Sequence, residues 1–297
     1  LADHVMHMRT FRISRHGAPT LNLRETGSGE PTFLLIHGFG EGGFVWDAFL
    51  PQLASLGRTF TIDLRGHGDS DWDADSRYSS AAHLDDVNFV IDALDLKKVI
   101  LIGHSLGGEI AIRFSARRPE RVAGLIVVDF GPELDRAASA HIRKEFVAES
   151  RVYADHDEYA VHLEAKQPLI SPELRGTVAK RALRPAAQGG FQLKRDPAMG
   201  AAGLLNADAL PALWPMLRDI RSPVLIIRGV ASALLRQSVA DRMVDVLPDG
   251  CLASVKLAGH AVMTDNPDDF AAAALSFIAR RLKLDSPTRS EPNREMT

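Results

Sequence analysis

Along this chain, short, mostly apolar runs alternate with longer stretches in which apolar positions recur every three or four residues. The runs at 33–36, 59–62, 99–102, 122–128 and 224–227 are rich in Val, Ile and Leu. Successive side chains of a strand point to opposite sides of its sheet, so a strand with few polar breaks must be covered on both faces. The stretches at 81–94 and 106–117 have helical periodicity. Strand and helix therefore alternate as crossovers between parallel strands require. Ahead of them, 10–14 and 20–25 flank the turn His16-Gly17-Ala18-Pro19, which predicts an opening hairpin.

The alternation fails between about 131 and 219, where helical or irregular patterns run without a convincing buried strand. Pro168, Pro172, Pro185, Pro197, Pro211 and Pro215 divide this region into short helices. The pattern predicts a helical insertion over 133–217 in a core made of 1–132 and 218–283. Strands resume at 224 and 252–257, and an Ala-rich amphipathic helix at 268–282 closes the core. Residues 284–297 are too polar to offset the entropy of ordering and are expected to form a disordered tail.

Composition narrows the possible partners. With 35 Lys and Arg against 38 Asp and Glu, the net charge is −3, which lacks the basic excess that neutralising a nucleic-acid backbone needs. Cys251 is the only cysteine, so an internal disulfide is impossible and the Cys clusters of structural zinc or iron–sulfur sites are missing. No metal or cofactor is called for. The first residues have no continuous apolar core of a secretory signal, and no run reaches the ~18 apolar residues of a membrane span. These features predict a cytoplasmic protein with no membrane partner; oligomeric state is left open.

The chemistry concentrates where strands end. Gly103-His104-Ser105-Leu106-Gly107 follows an apolar run and opens a helical pattern, the strand-turn-helix setting of a nucleophile elbow. Small residues are needed there because the turn is tight and strained. Ser105 is thus the candidate nucleophile, against the plainer alternative of a Gly-Ser loop. The run ending in His37-Gly38-Phe39-Gly40 places backbone amides at the same sheet edge, and the Phe39 and Leu106 amides are the candidate oxyanion donors. His260, after the last strand, is the candidate base that would accept the Ser105 proton. His104 competes with it, but neighbours at a sharp elbow point apart, which favours packing for His104.

An acid to orient His260 is usually found three residues after Gly229, and Ser232 stands there instead. No carboxylate lies between Asp219 and Asp241. Asp129, at the end of the 122–128 run, is the candidate acid; its alternative is a turn cap before Gly131-Pro132. The pocket candidates are His37, Gly38, His104, Phe130, Arg143 and Trp214. For His37 a structural role in the loop weighs against contact with substrate.

With these residues assembled, the chain resembles the α/β-hydrolase superfamily from about 11 to 282. Beyond the elbow, the resemblance rests on Asp63, Arg65, Gly66, His67, Gly68 and Ser70 in one turn, and on Gly259-His260 followed by Asn266, Pro267 and Phe270. The pairing of Asp129-Phe130-Gly131-Pro132 with Ser232 is similar to a subset that keeps its acid after strand six. The resemblance implies a mostly parallel eight-stranded sheet flanked by helices, with an inserted helical cap over the site. It also implies a cofactor-independent serine hydrolase for a small acyl substrate (an ester, thioester or lactone). Carbon–carbon bond hydrolysis, acyl transfer and perhydrolysis use the same triad, and a ligand-binding protein with little turnover is the rival from another class.

Overall fold

The computed structural model describes residues 7–201 and 209–282. The expected tail at 284–297 and a short part of the expected insertion lie outside the described residues. Eight strands form one sheet: β1 (Arg9–Ile13), β2 (Leu21–Thr26), β3 (Thr32–Ile36), β4 (Arg58–Asp63), β5 (Val99–His104), β6 (Val122–Val128), and, after two short strands elsewhere, β9 (Val224–Gly229) and β10 (Gly250–Val255). Their order is β1-β2-β4-β3-β5-β6-β9-β10. The hairpin β1–β2 is antiparallel, as is β2 against β4. Every later pair is parallel.

The unbroken apolar runs are explained by two cores, one on each face. Leu34, Ile36, Leu101, Val127 and Ile226 point into one core; Phe33, Leu35, Ile102, Val128 and Ile227 point into the other. All ten are buried, and full burial of each such side chain contributes about 1.5–3 kcal/mol. The helices α2 (Ser80–Ala93) and α3 (Leu106–Arg117) cover the first face; α1 (Leu50–Ala54) covers the second. Ser79 caps α2 by accepting from the Ala82 amide.

Between β6 and β9 the chain leaves the sheet. It forms α4 (Arg136–Ala148), α5 (His156–Lys166) and α6 (Pro172–Ala182), started by Asp135, Asp155 and Ser171, whose side chains accept from amides of the first turn. Tyr153, Tyr159, Leu163, Val178 and Leu193 give this segment an apolar centre of its own. The sequence pattern showed no strand here, yet β7 (Leu183–Pro185) and β8 (Phe191–Leu193) pair as an antiparallel ribbon. Gly189 and Gly190, with φ of +91° and +72°, make its turn. Three residues per strand are too few for an alternating pattern to stand out.

The helix α7 (Leu213–Asp219) packs on α3, sending Leu213 and Leu217 into the first core. After β9 come α8 (Gln237–Val246), α9 (Val262–Asp265) and α10 (Pro267–Arg281). Asn266 caps α10, with Pro267 in its first turn. The strand expected at 252–257 lies two residues earlier and ends before Leu257, whose φ of +50° is incompatible with extension. No helix among the described residues is long and apolar enough to cross a membrane.

Candidate active site

The parallel strands deliver their carboxyl ends to one edge, and the elbow there has the geometry its glycines demand. Ser105 has φ +50° and ψ −115°, a conformation that costs about 1–3 kcal/mol in a residue with a side chain. A Cβ on Gly103 would lie 2.3 Å from the Gly107 carbonyl oxygen, and one on Gly107 would lie 2.2 Å from that of Ile36. The Ser105 amide donates to the Val128 carbonyl (3.1 Å), locking the elbow to the end of β6. Among the described residues, neither the Phe39 nor the Leu106 amide has a hydrogen-bond partner.

Asp129 is the next residue after β6. It is fully buried, with φ +49° and its amide donating to Ile227 (2.7 Å). Its carboxylate accepts from His260 Nδ1 at 2.8 Å, from the Ser232 hydroxyl at 2.5 Å and from the Gly229 amide at 3.2 Å. Ser232, at the position where an acid was sought, is thus a donor to the acid on the neighbouring strand. The loop after β10 is pressed against β9: a Cβ on Gly229 would lie 2.0 Å from the Gly259 carbonyl oxygen. Asp265 accepts from the Gly259 amide at 2.8 Å. Its carboxyl is raised above the usual range by burial.

The loop after β3 is held from behind by histidines. His37 accepts from the Leu64 amide and bonds the Gly38 carbonyl (3.0 and 2.8 Å). His67 accepts from the Gly40 amide (3.0 Å) and bonds the Arg65 carbonyl (2.9 Å). Burial holds both rings, and that of His83, below the usual imidazole range; His83 is pushed down to about 3. Asp63 fixes the turn below by accepting from the Gly43 and Asp69 amides and from Asn22.

Glu41, not among the residues that sequence singled out, accepts from the Gly38 amide at 2.7 Å and from His104 Nδ1 at 2.9 Å. His104 Nε2 donates to the His260 carbonyl at 2.9 Å. Burial opposes charge on both groups, but their attraction outweighs it. Glu41 is brought down to about 2 and His104 is held above the usual imidazole range.

A cavity of about 860 Å³ lies between this edge and the inserted segment, and Phe39, His104, Ser105 and His260 all line it. Much of the remaining wall is apolar, with Phe44, Ile142, Tyr159, Leu163 and Val178 among its residues. Of the other pocket candidates, His37 and Phe130 are fully buried and, like Gly38, do not line the cavity. Arg143, half-buried on α4, is not in the wall either. Trp214 is displaced because α7 belongs to the packing around α3. Its ring Nε1 donates to Glu133 (2.9 Å) and Arg242 stacks on its face.

The inserted segment contributes an ionic cluster instead. Glu149, almost fully buried, pairs with Lys166 (2.7 Å), Arg195 (3.0 Å) and His162 (3.2 Å). Burial pushes its carboxyl up, but Lys166 and Arg195 prevail and hold it below the usual range. Glu145, Glu149 and His162 bring potential metal-ligand atoms within 4.8 Å of one another. Two cations already satisfy Glu149, so a metal ion would meet repulsion as well as ligands.

Comparison with known proteins places the fold. A family profile described as the α/β hydrolase fold matches residues 31–267. The 2-(acetamidomethylene)succinate hydrolase of Mesorhizobium japonicum is 30% identical over 263 residues, which is 88% of this chain and 92% of that protein. The crystal structure of E-2-(acetamidomethylene)succinate hydrolase superposes with a TM-score of 0.83 at 28% identity, covering 92% of this chain and 99% of the other. A thioesterase domain from the curacin biosynthetic pathway gives 0.75 at 26% identity, covering 91% and 99%.

Proposed function

The chain belongs to the α/β-hydrolase fold family and is an enzyme, a hydrolase; from that premise we propose that it is a serine hydrolase cleaving a small ester, thioester or lactone through an acyl-enzyme. Ser105 is the nucleophile, His260 the general base and Asp129 the orienting acid. One observation carries the assignment: His260 lines the same cavity as the strained Ser105 and donates a hydrogen bond from Nδ1 to buried Asp129. That bond leaves Nε2 free to take the Ser105 proton.

Ser105 Oγ attacks the substrate carbonyl carbon as its proton passes to His260 Nε2. The carbonyl oxygen gains the electron pair and is held by the Phe39 and Leu106 amides, which have no partner among the described residues. Asp129 stabilises the imidazolium, and the Ser232 hydroxyl donates to the same carboxylate oxygen that faces His260 Nδ1, which holds that oxygen in place. The tetrahedral intermediate collapses, the leaving group takes the proton from His260, and water repeats the sequence to free the acid. The inserted segment acts as a cap, and the apolar part of its wall, with Ile142, Tyr159, Leu163 and Val178, favours a substrate with an apolar acyl or leaving group.

A fluorophosphonate probe tests the nucleophile. Covalent labelling of wild type but not of Ser105→Ala, together with a nitrophenol burst from p-nitrophenyl acetate, is the expected result. No label on wild type and no burst would refute it.

A further inference from the structure

His104 has more contacts than a packing residue requires. Its ring is 1% exposed, and both nitrogens face oxygen: Nδ1 lies 2.9 Å from Glu41 Oε2, and Nε2 lies 2.9 Å from the His260 carbonyl. A neutral imidazole has a single N–H, so one of its nitrogens would turn a lone pair toward an oxygen lone pair with no water to intervene. A carbonyl has no proton to give. The Glu41 oxygen already accepts from the Gly38 amide at 2.7 Å, as an ionised carboxylate does. Space is tight as well, since a Cβ on Gly38 would lie 2.7 Å from His104 Nδ1 and 2.9 Å from Glu41 Oε2.

We infer that His104, carrying a proton on each ring nitrogen, is a positioning residue that clamps the loop holding the Phe39 amide to the backbone of His260, so that oxyanion donor and general base keep one fixed spacing. One arm of the clamp runs through Glu41 to Gly38, next to Phe39; the other ends on the His260 carbonyl. The inference rests on the serine-hydrolase reading for its effect on rate, but not for its geometry. The titratable groups around the ring are Glu41, His37, Asp129, Asp265 and His260, whose ring centroid is 4.6 Å away. Three of the five are carboxylates, and Glu41 is the one in contact. A misplacement of about 1 Å between reacting groups costs on the order of 10²-fold in rate, so even partial loosening is measurable.

Nitrogen-15 NMR of the imidazole rings of the whole protein reads the proton count directly. At pH 8 His104 should show two protonated nitrogens, and the isosteric Glu41→Gln should reduce them to one. His104→Gln keeps a donor near the His260 carbonyl but loses the one toward Glu41, whereas His104→Asn does the reverse. Each should lower kcat on p-nitrophenyl acetate about tenfold with KM changed less than about twofold. Each should also shift the Phe39 amide and the His260 ring resonances together, whether or not substrate turns over.

A singly protonated His104 at pH 8, or variants that leave the Phe39 and His260 signals in place, would overturn the inference. So would variants with wild-type kcat in an enzyme that reacts with fluorophosphonate. If wild type takes no fluorophosphonate yet the ring is doubly protonated and the two signals move together, the clamp stands and the serine-hydrolase reading falls.

Discussion

The two walls of the cavity are built by opposite means. On the sheet edge each chemical group has a backbone anchor, with side chains added to it: Ser105 is held by the β6 carbonyl, Asp129 by the Gly229 amide and His260 by a loop packed against β9. Opposite it, the inserted segment relies on side chains meeting side chains, with Glu149 holding Lys166, Arg195 and His162 around it. Backbone constraints tolerate almost no substitution, because a single Cβ on Gly103 or Gly107 would collide with main chain. Side-chain clusters can be exchanged without rebuilding the sheet. The edge is therefore suited to hold one chemistry and the inserted wall to tune what reaches it.

Four experiments would break or sharpen this contrast. The largest effect belongs to the edge. Asp129→Asn should lower kcat by about 10³–10⁴-fold while the protein stays folded, because an amide cannot hold the His260 tautomer; Asp241→Asn, on the exposed side of α8, serves as the control and should keep its rate. A surviving Asp129→Asn enzyme, measured by burst kinetics, would remove the acid from the edge.

Next comes the opposite wall. Glu149→Ala leaves Arg195, 6% exposed, and Lys166 without the carboxylate that pairs them, and should cost about 3 kcal/mol of stability in urea unfolding. The fluorophosphonate label on Ser105 should persist in the folded fraction. Loss of labelling with stability intact would show that the two walls are not separable.

The third test concerns pH. His83 is fully buried, and its folded value of about 3 lies below the unfolded 6.5. The unfolded chain binds the extra proton, so stability is present above about 6.5 and is lost progressively as pH falls toward about 3. His37 and His67 shift in the same direction. His83→Leu should remove about 2 kcal/mol of the loss between pH 7 and 5, compared by chemical denaturation at the two values. An unchanged pH dependence would show that His83 is protonated or hydrated within the fold.

The smallest effect should come from Ser232→Ala. It removes one of three donors to Asp129 and should lower kcat about tenfold with little change in KM. A loss as large as that of Asp129→Asn would make Ser232 a full partner of the acid.

Much of the fold was legible because it depends on local patterns. Both-face burial shows as unbroken apolar runs, as in 99–102, and the elbow shows as Gly103 and Gly107 around Ser105. Ser232 was visible only as a missing acid, since its hydroxyl meets Asp129 across 103 positions of chain. Glu41 gave no local signal at all: its bond to His104 spans 63 positions and that from His104 to His260 spans 156. Trp214 was misplaced for a related reason, because its indole makes an equally plausible pocket wall until α7 is seen to pack on α3.

The chain's own pattern determined the alternation of strands and helices, the elbow and the edge to which Ser105, Asp129 and His260 would come. Steric and periodic demands of that kind are met by neighbouring residues. Only the tertiary structure decided that Ser232 donates to Asp129, that Glu41 and His104 reach the His260 backbone, and that Glu149 gathers Lys166, Arg195 and His162 on the opposite wall. A buried charge needs a partner in space, and spatial proximity between distant residues is created by the fold itself.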